Sequence, residues 1–284
     1  MTTVSFVITS IAIMVVQNCL FNDACKKKVK TAAHINLFNI TVYAVCILIF
    51  GGLVLRETVS VFTVLLGLLF GVVTALSNFY KMRSLSNGPM HITLLVTTSS
   101  MIIPTLSGIF FGETFSLAKL GVVVVLIGFI YLSTGKSGDA RINKKWVLYC
   151  ALAFAFQGTV GVIQKIHQSS THKAETSGFL LVAFTVAIIF CFFGSRGSGQ
   201  TIKLERKTVF VGLLCGGCTF GMNYINLKLS GLLPTQLFFP LINGSAIILS
   251  SIMSVIVFKE TLSKRQMIGL VGGILSLIGI CLVP

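Results

Sequence analysis

Hydroxyl and amide side chains spaced to share a helix face are the groups in this 284-residue chain best suited to bind a solute. Thr74 and Asn78 recur as Thr219 and Asn223, each pair four residues apart and so on one side of an apolar helix. His91 and Thr98 are seven residues apart, as are Gln236 and Asn243, and each couple again shares a face. Gln17 and Asn18 lie about two turns before Lys26, and Gln157 lies eight residues before Lys165, so these amides occupy comparable places. An Asn or Gln deep in an apolar segment is costly unless it has a partner or faces a wet cavity. The chemistry this set offers is hydrogen bonding to a small polar molecule. The plainer alternative is that the same groups only tie helices together, and His91, near the start of its segment, has an interfacial reading as well.

Catalytic chemistry finds no such set. All seven acids, Asp23, Glu57, Glu113, Asp139, Glu175, Glu205 and Glu260, fall in expected loops or at helix ends. Glu113 and Glu260 are expected to stabilise the N-termini of the helices that follow them, where the macrodipole favours a negative charge. No His is followed by Glu in an H-E-x-x-H pattern, and no GxxxxGK[ST] loop is present. An enzyme, a resident metal and a cofactor are therefore not expected. Cys215-Gly-Gly-Cys218 has metal or redox spacing, but it lies inside an apolar span, where free Cys packs as a small apolar residue.

The elements that must position these groups follow from composition. With 55% hydrophobic and 10% charged residues and a mean hydropathy of +0.96, the chain reads as an integral membrane protein. A helix needs roughly 17 to 25 apolar residues to cross the hydrocarbon core. Ten such stretches occur, near 4–21, 34–55, 61–81, 89–111, 117–134, 145–165, 176–194, 207–228, 234–258 and 266–283. None alternates as a barrel strand would, so all are expected to be helices. The first is not preceded by a basic region or followed by a cleavage site, and is expected to stay. Pro104 and Pro240 fall inside the fourth and ninth spans, where a missing backbone hydrogen bond makes a hinge or polar notch.

The net charge of +15 sits in short loops between these spans, which points to lipid headgroups and topology rather than nucleic acid. Loops after the odd-numbered spans carry 17 of the 22 Lys and Arg residues, placing both termini outside by the positive-inside rule.

The chain also contains itself twice. From Gly67 to Pro89, seven of 23 positions are identical to Gly212 to Pro234, including Gly67, Gly71, Thr74 and Asn78. A second block, Ser107-x-Ile109-x-Phe111-x-Glu113-Thr114-x-Ser116, matches Ser254-x-Ile256-x-Phe258-x-Glu260-Thr261-x-Ser263. Five helices per copy invert the second copy in the membrane, and the charge bias switches with that inversion. The expected fold is all-α and membrane-integral, with ten transmembrane helices as two inverted five-helix repeats: 1–135, a polar linker at 136–144, and 145–284.

On these blocks, running from Pro104 through Phe111-Gly112-Glu113-Thr114 to Gly121 and Gly128, and from Phe258-Lys259-Glu260-Thr261 to Gly269 and Gly279, the chain resembles the EamA-like branch of the drug/metabolite transporter superfamily. The resemblance implies an efflux-type carrier of the bacterial plasma membrane, working by alternating access through a central cavity between the repeats. It also implies cytoplasmic termini, against the charge count. The partners expected are a small-molecule solute and the lipid bilayer, with no nucleic acid. A channel or a receptor of the same fold is the alternative. Amides, hydroxyls and aromatics such as Tyr80 and Tyr224 suit a neutral or zwitterionic metabolite, and no central carboxylate is available to relay protons.

Overall fold

A lipid-facing backbone has no water to bond, so each apolar stretch must close its own hydrogen bonds as a helix. A computed structural model describes residues 3–27, 29, 31–87, 90–113, 116–133, 144–196, 204–258 and 263–283. In chain order they form α1 (Thr3–Lys27), α2 (Ala32–Val54), α3 (Val61–Asn87), α4 (Met90–Ser99), α5 (Ile102–Ser107), a 3-10 turn (Gly108–Phe111), α6 (Leu117–Ser133), α7 (Lys144–Ser169), α8 (Thr176–Arg196), α9 (Arg206–Leu232), α10 (Thr235–Phe258) and α11 (Lys264–Leu282). There is no strand among the described residues.

Among the described residues, seven helices (α1 to α3, α7 to α9 and α11) are long and apolar enough to cross a membrane by themselves. Shorter apolar stretches cover Val96–Phe111, Leu117–Leu132 and Thr235–Leu249. Large apolar side chains such as Leu48, Leu65, Phe110 and Ile268 stand exposed on the outside, as an integral multi-pass membrane protein requires. The expected linker lies, apart from Lys144, outside the described residues, as do Glu260 and Thr261.

The fourth expected span is not one helix. Pro104 has no N–H to return to the carbonyl of Ser100, and α4 stops at Ser99. The Ser100 carbonyl accepts instead from Ile103 N at 3.0 Å, in the tighter i+3 manner, as α5 begins. Pro240 leaves α10 continuous, so the two prolines act differently.

Helix pairing follows a pattern. α3 packs on α7 and α8, while α9 packs on α1 and α2; α2 lies against α8, and α6 against α11. Glycines allow close approach at two of these contacts. A Cβ on Gly71 would strike the Ala183 carbonyl of α8, and one on Gly216 would stand 2.8 Å from the Val42 carbonyl of α2. Between them lies an aromatic core in which Phe50 stacks on Phe184, with centroids 6.0 Å apart, and Tyr43 is fully buried.

Candidate functional site

A cavity opens where α1, α3, α5, α7, α9 and α10 converge, with about 130 Å³ accessible to a water-sized sphere. Such a volume holds several waters or part of a small solute. The expected residues at its wall are Gln17 and Asn18 from α1, Thr74 and Asn78 from α3, Gln157 from α7, Thr219 and Asn223 from α9, and Asn243 from α10. Apolar surface from Met14, Met82, Met101, Phe238 and Phe239 completes it.

Hydrogen bonds between helices hold these side chains. Gln17 Nε2 donates to Thr219 Oγ1 at 2.7 Å, and Thr219 Oγ1 donates to the Cys215 carbonyl at 2.8 Å. On the opposite wall, Ser77 Oγ donates to Gln157 Oε1 at 2.8 Å. Asn78 Nδ2 donates to the buried Tyr43 hydroxyl at 2.7 Å, fixing α3 against α2. Asn223 and Asn243 each donate back one turn, to the carbonyls of Thr219 and Phe239, both at 2.9 Å. The Thr74 hydroxyl is buried without a hydrogen-bond partner.

Two expected site residues lie elsewhere. Gln236 is buried at the first turn of α10, away from the cavity: its Oε1 accepts from Ser116 N at 3.1 Å and its Nε2 reaches the Ser116 carbonyl at 3.4 Å. Its amide is consumed in fixing the start of α6. Thr98 is also absent from the wall, because α4 ends one residue later and the break at Ser100 changes which face turns inward. The His91 side chain lies outside the described residues.

The wall also contains groups that were not expected. Gln164 is seven residues after Gln157, the same spacing that coupled Gln236 to Asn243, and Asn226 occupies the place of Lys81 in the second copy of the repeat. Both signals were present in the sequence. Ser77 and Ser100 complete the polar set. Lys81 is the one charged side chain among the described lining residues.

Immediately beyond Gln164, Lys165 lies inside α7 rather than at its end, and its Nζ is 2.6 Å from Glu113 Oε1. Lys165 also donates to the Ser230 carbonyl at 3.0 Å. Glu113 Oε2 accepts from Thr235 N at 2.7 Å and Thr235 Oγ1 at 2.6 Å. Glu113 therefore stabilises the N-terminus of α10, not of α6 as its position in the chain suggested. Gly112, at φ 69°, ends the 3-10 turn in the left-handed conformation that turns the chain here. Two more carboxylates make similar links at this end of α7. Glu57, ahead of α3, accepts from Ser177 N and Gly178 N of α8 at 2.9 and 3.0 Å. Glu175, ahead of α8, accepts from Ser60 N and Oγ at the start of α3, both at 2.8 Å.

Among the described residues no cluster of His, Cys, Asp or Glu could hold a metal ion, and Cys215 and Cys218 are free thiols.

Residues 144–282 match the model of the EamA-like transporter family, a family of the drug/metabolite transporter superfamily. That match, over the second half of the chain, agrees with the resemblance read from its motifs. A solved crystal structure of a protein shares the fold, with a TM-score of 0.71 over 99% of this chain and 96% of that one, at 16% identity. No curated protein matches the sequence.

Proposed function

We propose that this chain is a secondary transporter that moves a small polar metabolite across the membrane by alternating access through the central cavity. Residues 1–135 and 145–284 would be two five-helix repeats of inverted topology, joined by 136–144. The observation that carries this reading is the cavity itself. Apolar helices from both halves, α1, α3 and α5 with α7, α9 and α10, turn amides and hydroxyls inward to one cavity. Polar groups at such depth are costly unless they have partners or face a polar cavity.

Helix pairing supports the repeat. The contacts of α3 with α7 and α8 have their counterpart in those of α9 with α1 and α2. Gln17 meets a hydroxyl of α9 as Gln157 meets one of α3. The described lining residues include no Asp or Glu, which supports exchange or facilitated diffusion over proton coupling through the cavity.

Counterflow in proteoliposomes tests the function. Vesicles preloaded with the correct unlabelled solute should accumulate labelled solute transiently and saturably, without a pH gradient. Flux that rises linearly with concentration and shows no counterflow would make the protein a channel. Impermeant thiol reagents on cysteines placed at Thr2 and Pro284 test the ten-span topology, which predicts labelling from the same side.

A further inference from the structure

The hydrogen bonds that hold three of the cavity amides also decide which end of each amide the solute meets. A hydroxyl carries one hydrogen. That of Thr219 is committed to the Cys215 carbonyl at 2.8 Å, so towards Gln17 the Thr219 oxygen can only accept. Gln17 must therefore turn its Nε2 to Thr219, at 2.7 Å, and leave Oε1 for the cavity. A backbone carbonyl likewise only accepts. Asn223 and Asn243 spend an N–H on the carbonyls of Thr219 and Phe239, and each leaves Oδ1 unspent. Gln17, Asn223 and Asn243 thus present carbonyl oxygens in a fixed sense, whereas Asn226, whose Oδ1 accepts from Ser10, and Gln157, whose Oε1 accepts from Ser77, leave amide nitrogens to the rest of the wall.

Thr74, 8% exposed and also at the wall, has a buried hydroxyl with no hydrogen-bond partner, a second sign that the site is completed by something it does not contain. The described lining residues include no carboxylate to balance a net cation.

Resting on the transporter reading above, we propose that the cavity selects a net-neutral solute through a head group that donates several hydrogen bonds, clustered hydroxyls or the ammonium of a zwitterion, to the oxygens of Gln17, Asn223 and Asn243. Thr219 is a positioning residue that sets the polarity of this wall by fixing Gln17.

The test uses the purified full-length protein in nanodiscs and two pairs of probes on a six-carbon skeleton. One pair is 2-aminohexanoic acid and its N,N,N-trimethyl betaine, which keeps both charges and loses every N–H. The other is hexane-1,2,3-triol and its trimethyl ether. Binding is read by calorimetry. At least one parent should bind, with its methylated partner about tenfold weaker or worse, as expected when hydrogen bonds at a buried site are lost. Which parent binds separates the ammonium from the hydroxyl source.

Thr219→Val, which frees the Gln17 amide to rotate, should shrink that ratio several-fold, while Thr219→Ser should preserve it. Gln17→Met offers a second route to the same loss should Thr219→Val fail to fold. A ratio unchanged in Thr219→Val and Gln17→Met would mean that methyl bulk alone sets the preference, and would overturn the proposal. So would equal binding of parents and methylated partners, or binding of hexanoate in place of both parents. If neither parent binds, the donor-reading wall is wrong, and solute counterflow, measured separately, decides whether transport falls with it.

Discussion

Lys165 Nζ sits 2.6 Å from Glu113 Oε1, and the two side chains, 9% and 17% exposed, link α7 to the end of α9 and the start of α10. Removing one partner of a buried pair leaves the other charge uncompensated, at a cost of about 3–5 kcal/mol. Glu113→Ala should cost that much in detergent unfolding, since Lys165 then keeps only the Ser230 carbonyl. Lys165→Met should cost less, because Glu113 retains Thr235 N and Oγ1 as donors. Equal losses in the two variants would contradict this division of the contacts.

Glycine substitutions should sort by what a methyl would meet. Gly71→Ala drives a Cβ into the Ala183 carbonyl, backbone that cannot move aside, and should lower stability by about 1–3 kcal/mol. Gly121→Ala meets nothing within 4 Å and should be neutral or slightly stabilising through helix propensity. Thermal unfolding of both variants in the same detergent is the comparison, and a Gly71→Ala protein as stable as the parent would count against the packing described.

Asn223 and Gln236 give a matched pair for the solute site. Asn223→Ala removes a cavity amide and should weaken solute binding about tenfold while the folded yield holds. Gln236→Ala should do the reverse, loosening the start of α6 through loss of its Ser116 contacts with affinity unchanged. Binding isotherms set beside melting curves distinguish the two, and the pattern reversed would place the site elsewhere.

A pH dependence is expected at the loop carboxylate Glu175. Burial alone would raise its pKa, but hydrogen bonds from Thr63, Ser60 and His172 outweigh that and hold the carboxyl at about 2. A carboxyl depressed on folding adds stability above its unfolded pKa, about 4.3, and loses it as pH falls towards the folded value. Glu175→Gln should therefore melt below the parent at pH 7, with the gap narrowing between about pH 4 and pH 2. A gap that stays constant across this range would show that the hydrogen bonds do not favour the charged form.

Much of the cavity was legible because polar side chains at matching places in the two sequence copies come to one wall. Thr74 with Thr219, Asn78 with Asn223, and Gln17 with Gln157 all reach the wall. Gln236 and Thr98 do not, for physical reasons that periodicity cannot express. A seven-residue spacing fixes the face of a continuous helix but not its depth, and Gln236 lies at the first turn of α10, within reach of the Ser116 backbone. Thr98 belongs to a helix that Pro104 interrupts, so its face is not the one that continues into α5. Glu113 was harder still. Its place in the chain pointed to α6, and only the turn at Gly112 and the donors on Thr235 determine that it serves α10.

The interruption before Pro104 has an energetic meaning under the proposed mechanism. Two identical inverted halves would make the inward-open and outward-open forms mirror equivalents, with equal free energy and equal population. Here one half carries a jointed segment, α4 and α5, where the other carries the unbroken α10. Under that mechanism the difference would lift the degeneracy, since a joint in one half has no counterpart in the other. An empty carrier built this way would have a preferred resting orientation before any solute or membrane potential acts on it.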